Sequence, residues 1–243
     1  MIDNIEIIDV NTMFGPLPAA ASDLSVDALE EMMQKHGIRS CCTLSTVGVL
    51  LDQNSGNSAT RAACSEHAHL LPVATVNPQN VFTVDGPYTR FKADGFRMVR
   101  LFPSQQGWTA DYAPCVSVAK RLEVEGLPIM ADVKEPGEAS RLVRALMAHP
   151  APLILCGVGE STLAESIFLM RSHPGVFIET SNLVSVGALK QVIECVGADR
   201  VLYGSGAPSR PMASSLAIIR AAEIDDEQRA QILNKNATSL LGL

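Results

Sequence analysis

Residues 152–206 read PLILCGVGESTLAESIFLMRSHPGVFIETSNLVSVGALKQVIECVGADRVLYGSG. Three short apolar runs stand in this stretch, at 152–156, 176–180 and 200–203. Two longer segments lie between them, at 163–171 and 186–196, with apolar residues at helical spacing. Strand, helix, strand, helix, strand is the rhythm of parallel βαβ units. The runs are apolar throughout rather than alternating, as in a sheet covered on both faces. Toward the N-terminus the same rhythm places strands at 128–133, 96–102, 70–76, 41–44 and 5–10. Helical patterns lie at 139–147, 112–125, 59–64 and 24–36. Ser25 is placed to cap the first helix and Gly37 to stop it. Two helical stretches, 212–222 and 226–241, close the chain. Eight strands alternating with helices predict an α/β fold, a (β/α)8 TIM barrel forming a single domain over residues 1–243. A doubly wound open sheet is the alternative.

Composition narrows the function classes. The chain has 243 residues, 47% apolar and 19% charged, which excludes a disordered segment. Aromatics make up 5% and the formal charge is −7, so neither base-stacking platforms nor a phosphate-binding surface is expected. No apolar run approaches the roughly 20 residues that cross a bilayer. The first ten residues, MIDNIEIIDV, lack the positive and apolar regions of an export signal. A cytoplasmic protein is expected, with no nucleic-acid or membrane partner. The six cysteines, Cys41, Cys42, Cys64, Cys115, Cys156 and Cys195, form no C-x-x-C and read as reduced thiols.

Several strand ends match the strand-end motifs of one known barrel family. Residues 9–15, DVNTMFG, resemble the first-strand motif I-D-x-H-x-H-x-G. Residues 127–132 resemble the fifth strand, where a proline precedes a strand ending in histidine. Residues 153–159, LILCGVG, resemble L-I-L-x-H-x-G, and 176–181 resemble the seventh strand. Residues 200–208, RVLYGSGAP, resemble R-V-L-F-G-S-D-x-P, and the tail from Ile232 resembles the closing helix. In this order the six segments resemble the amidohydrolase superfamily, in its amidohydrolase-2 branch, and the resemblance implies the barrel fold and a hydrolase active on a small molecule. Barrels of this kind often dimerise through their outer helices, so a homodimer is also expected.

The departures from that pattern matter as much. The resemblance implies four histidines and an aspartate as metal ligands, but those positions hold Asn11, Met13, Asp132, Gly157 and Gly206. Glycine offers no donor, and methionine sulfur is soft beside oxygen donors. Asn11 and Asp132 fall short of the three protein ligands of a catalytic zinc. No metal and no other cofactor is expected at the mouth.

The C-terminal strand ends of a barrel carry its chemistry. There Asp132 is the candidate general base, able to activate water against an acyl centre. Its alternative is a structural salt bridge. Arg100 lies inside an apolar strand, where a lone charge needs a partner or a ligand. Its forked donors suit a substrate carboxylate, and Asp132 or Glu179 would satisfy it equally. Asn11, Glu179 and Ser205 complete the candidate substrate-binding set. Asp9 is expected to be structural and, by strand alternation, to point the same way as Asn11. Trp108, the only tryptophan, is a candidate lid, oligomer contact or core residue. Arg210 gives a weak hint of anion binding. His36, His149 and His173 sit near helix C-termini, and His67-Ala68-His69 precedes the third strand, at the barrel's bottom. His67 and His69 are expected to be surface or capping residues rather than ligands. Two readings stand side by side: a metal-independent hydrolase of a small carboxylated lactone, ester or amide, or a catalytically inactive barrel that binds a small acid or serves as a structural subunit. They divide on whether Asp132 and Arg100 open onto a pocket or pair and close the top.

Overall fold

The computed structural model describes residues 5–18, 24–80, 90–146 and 151–243. Eight parallel strands run in the order β1 to β8: Ile7–Phe14, Ile38–Ser45, Leu70–Thr75, Met98–Leu101, Ile129–Asp132, Leu153–Cys156, Val176–Glu179 and Val201–Leu202. Consecutive strands pair throughout, for example Val99 with Ile129 and Ile129 with Leu153. The ends of the sheet meet through Val10 N–H to Tyr203 O and Met13 N–H to Ala207 O, each 2.9 Å. The TIM barrel is thus the observed fold, and the open sheet is excluded.

Helices cover the outside in chain order: α1 (Val26–His36), α2 (Val47–Leu50), α3 (Gln53–Glu66), α4 (Pro103–Gln106), α5 (Ala113–Glu125), α6 (Glu138–Leu146), α7 (Glu160–Ser172), α8 (Ala188–Val196), α9 (Met212–Ala221), α10 (Asp226–Ala230) and α11 (Asn236–Leu241). The longer ones bury one stripe each. In α6 this is Ala139, Leu142, Val143 and Leu146, the i, i+3, i+4, i+7 spacing of an amphipathic helix. Ser25 Oγ accepts from Ala28 N–H at 3.2 Å and Gly37 takes the left-handed conformation, as α1's sequence predicts. None of the helices described is long and apolar enough to cross a membrane.

Strand alternation splits the core into two layers. Ile8, Val10, Cys42, Leu44, Met98, Met130 and Ile154 fill the barrel. Ile7, Cys41, Val99, Ile129, Leu153 and Ile178 face the helices. Arg100, Asp132 and Cys156 share the inward parity at the C-terminal end, so the sequence itself aims them into the mouth.

Several boundaries differ from expectation, and three of the differences have a local reason. β1 runs on to Phe14 through a register shift between Asp9 and Thr12, a bulge that alternation does not foresee. α3 starts at Gln53 rather than 59, because Asp52 caps it, accepting from Ser55 N–H at 2.7 Å. Its Gly56 also lies against Gly48, where a Cβ would meet the Gly48 Cα at 2.1 Å. The last helical stretch is broken by a wide turn at Gln231–Lys235.

Candidate functional site

The mouth is organised around Arg100, which is 5% exposed. Its Nη1 donates to Asn11 Oδ1 at 2.5 Å and its Nη2 to Asp132 Oδ1 at 2.9 Å. Nη2 also reaches Cys156 Sγ at 3.3 Å, and the guanidinium carbon sits 4.6 Å from the centre of the Phe102 ring. β1, β4, β5 and β6 therefore meet at a single cation. Burial opposes the Arg100 charge, while Cys156, Asp132 and Glu179 favour it. Burial also holds Cys156 as the neutral thiol, well above its ordinary range. Asp132 is then the contacting group whose negative charge keeps the guanidinium ionised.

Glu179 ends β7 fully buried and is occupied from within. Its Oε1 accepts from Gly157 N–H and Ser181 Oγ, and its Oε2 from Ser181 N–H, each at 2.7 Å. Ser205, also buried, accepts from Ala207 N–H at 3.0 Å. Asp9 Oδ1 accepts from Asn11 N–H and Ser205 N–H, each 3.0 Å, which joins β1 to the turn after β8. Burial pushes the Asp9 carboxyl up to about 7, against the hydrogen bonds from Ser205 and Asn11. Asp9 and Asn11 do not point the same way. Asn11 Nδ2 turns inward to Cys156 Sγ at 3.2 Å, whereas Asp9 lies at the β1–β8 seam, because the bulge in β1 resets alternation between them.

The five positions matching metal ligands do not fit a metal. Gly157 and Gly206 have φ of +76° and +72°, so a histidine or aspartate there would sit in strained left-handed backbone. The donor oxygens of Asn11 and Asp132 already hold a guanidinium. A divalent cation placed among them would meet a fixed positive charge at contact distance.

Among the described residues one small space is seen at this cluster. A cavity of about 10 Å³ touches Asp132 and is walled by Pro103, Trp108, Ala110 and Arg141. That is room for about one water molecule. Trp108 lies in the buried core with its ring closing over this cavity and its Nε1–H donating to Gln106 Oε1 at 3.0 Å, so of the three roles foreseen it takes that of a core residue. Lys134, Glu135 and Arg210 are exposed outside the cluster. A much larger cleft, about 590 Å³, lies at the C-terminal ends of β1 and β2, lined by Leu17, Leu24, Val47, Leu50 and Leu51. Among the described residues its lining is mostly apolar and includes no ionisable side chain.

The described histidines lie away from the mouth. His36 ends α1 and His173 follows α7, while His149 lies outside the described residues. His67 and His69 stand at the N-terminal end of β3, as their place in the sequence predicts. His67 is the C-cap residue of α3, in keeping with the expected capping role, and both rings also turn onto Glu30 of α1, a partner not foreseen from the sequence. Its signal, a glutamate in the middle of a helix, is too common to find it. All six cysteines are free thiols.

Among solved structures the chain resembles 2,6-dihydroxybenzoate decarboxylase complexed with 2,6-dihydroxybenzoate (TM-score 0.81, 15% identity, 98% of this chain and 100% of that one). It also resembles 5-carboxyvanillate decarboxylase from Sphingomonas paucimobilis (TM-score 0.75, 14% identity, 99% and 100%). A third is dihydroxybenzoic acid decarboxylase from Polaromonas sp. JS666 with bound manganese and the inhibitor 2-nitroresorcinol (TM-score 0.79, 15% identity, 98% and 97%). At such identities the likeness speaks for the fold alone. No curated protein matches the chain. The family profile described as Amidohydrolase, of the Amidohydro_2 type, matches residues 6–243, so the chain belongs to the amidohydrolase-2 family.

Proposed function

We propose that this chain is an amidohydrolase-2 barrel without hydrolytic or decarboxylative chemistry at its mouth, serving as a binding or structural subunit. The observation that carries the reading is the Arg100 clamp. The guanidinium takes the oxygens of Asn11 and Asp132, at two of the positions where the resembled pattern has ligands. It supplies a fixed positive charge in place of an exchangeable one. A guanidinium cannot generate hydroxide at neutral pH as a coordinated metal does. The base candidate, Asp132, is neutralised by its partner and faces space for about one water.

A second reading is favoured by that one-water cavity at Asp132 and its Trp108 roof. If the roof lifts, Asp132 is the base for metal-independent hydrolysis of a small carboxylated lactone, ester or amide. Arg100 then holds the substrate carboxylate, and Asn11, Glu179 and Ser205 shape its seat. A soluble cytoplasmic homodimer acting on an anionic small molecule belongs to the same proposal.

One assay separates the two. The purified chain is offered small lactones, esters, amides and hydroxylated benzoates, with and without added zinc or manganese. The expected result is no turnover above the protein-free rate. Saturable metal-free turnover that disappears in Asp132→Asn, folded by circular dichroism, would establish the second reading. Turnover that requires added metal would overturn both.

A further inference from the structure

At the opposite end of the barrel three ligand-bearing side chains converge. Glu30 comes from α1, and His67 and His69 from the connection between α3 and β3. His67 Nδ1 and His69 Nε2 both lie 2.6 Å from Glu30 Oε1. The rings stand edge to face at 81°, with centroids 6.0 Å apart, so their nitrogens meet at one point without the rings stacking.

The backbone beneath is fixed. Leu70 N–H donates to His67 O at 2.9 Å and Cys41 N–H to His69 O at 3.1 Å, which ties both histidines to β2 and β3. Leu29 and Met33 bury the inner face of α1 on either side of Glu30. Each side chain keeps some exposure, 28% for Glu30, 26% for His67 and 42% for His69, so a solvated ion can reach them.

Two imidazoles and one carboxylate are donors suited to a borderline divalent cation. Zinc binds imidazole nitrogen at about 2.0–2.1 Å and carboxylate oxygen at about 2.0–2.2 Å in a tetrahedron, which sets its ligand atoms about 3.3–3.4 Å apart. Opening the 2.6 Å contacts to that spacing needs less than about 1 Å of side-chain movement. We propose that Glu30, His67 and His69 form a Zn²⁺ site with a water as the fourth ligand. Bound zinc fastens α1 to the α3–β3 connection at the bottom of the barrel. The site is independent of the mouth and of the function proposed for it.

The test titrates chelator-treated protein with zinc chloride and, separately, cobalt chloride. The expected result is about one equivalent taken up, with the visible absorption of four-coordinate cobalt and a thermal midpoint raised by zinc. His67→Ala and His69→Ala each abolish uptake and the midpoint shift, with the circular dichroism of the parent. Glu30→Gln weakens both. The mouth variant Met13→Leu/Cys156→Ser retains full uptake. No uptake by the folded parent, or uptake that survives in His67→Ala/His69→Ala, would overturn the proposal.

Discussion

The two ends of this barrel hold polar clusters of opposite design. At the C-terminal end, where barrels keep their chemistry, Arg100 is buried and its donors are distributed over Asn11, Asp132 and Cys156. At the N-terminal end, Glu30, His67 and His69 are half-exposed and share one oxygen. The upper cluster is rich in contacts and already neutral within itself. The lower one is sparse but leaves its donors crowded onto one point. Strand-end position therefore tells where polar groups gather, and charge balance tells whether they still have something to bind.

Variants can break this contrast. The largest effect belongs to the buried pair. Arg100→Met alone leaves Asp132 without its cation and should cost about 3–5 kcal/mol in urea unfolding. Asp132→Leu alone should cost a similar amount, whereas Arg100→Met/Asp132→Leu together should cost far less than the sum, because no buried charge is stranded. Additive losses would show that the pair is not a closed unit.

The next effect is set by pH at the β1–β8 seam. The folded Asp9 carboxyl titrates at about 7, above its ordinary 3.8, so the folded state holds this proton more tightly than the unfolded chain. Its contribution is complete below about pH 4 and is lost as pH climbs toward 7. Asp9→Asn keeps an acceptor for Asn11 N–H and Ser205 N–H but has no proton to lose. Relative to the parent it should gain on the order of 2–4 kcal/mol between pH 4 and pH 8. Parallel stability profiles for the two proteins would refute the assignment.

Smaller still is Gly206→Ala. It places a side chain at φ +72° with its Cβ 3.2 Å from the Ser181 Cβ, and should cost about 1–2 kcal/mol. The smallest effect is at the bottom: without metal, His67→Ala should change stability by less than about 1 kcal/mol, as for an exposed ion pair. A loss as large as that of Arg100→Met would make the lower cluster a structural brace too.

The fold was legible in the sequence because every strand core is a short apolar run bounded by helical spacing. Arg100 and Asp132 were legible for a related reason: a charge inside an apolar run has few places to go. That they choose each other over a ligand was not, since pairing depends on where two strands lie around a closed circle. The bulge in β1 was hidden because it changes parity without changing residue type, and it sends Asn11 inward while Asp9 stays at the seam. Glu30 was hidden by distance, 37 residues from His67 on a separate element. Two histidines alone look like ordinary solvated side chains until the helix that faces them is in place.

The last strand, Val201–Leu202, is two residues long, and the segments C-terminal to it finish the ring. Gly206 N–H and Tyr203 O bond to β1, Tyr203 N–H bonds to Ile232 O, and Asn236 Nδ2 holds the carbonyls of Ala198 and Val201 at 2.7 and 2.8 Å. During synthesis β1 emerges shortly before its neighbour β2 but long before the segment after β8, its neighbour on the other side. Until residues 201–207 emerge, its edge facing β8 is an unsatisfied row of amides and carbonyls, the kind of template on which nascent chains pair wrongly. A chain stalled before residue 201 would keep that edge open for good. Quality control of this protein therefore turns on the stretch from Val201 to Asn236.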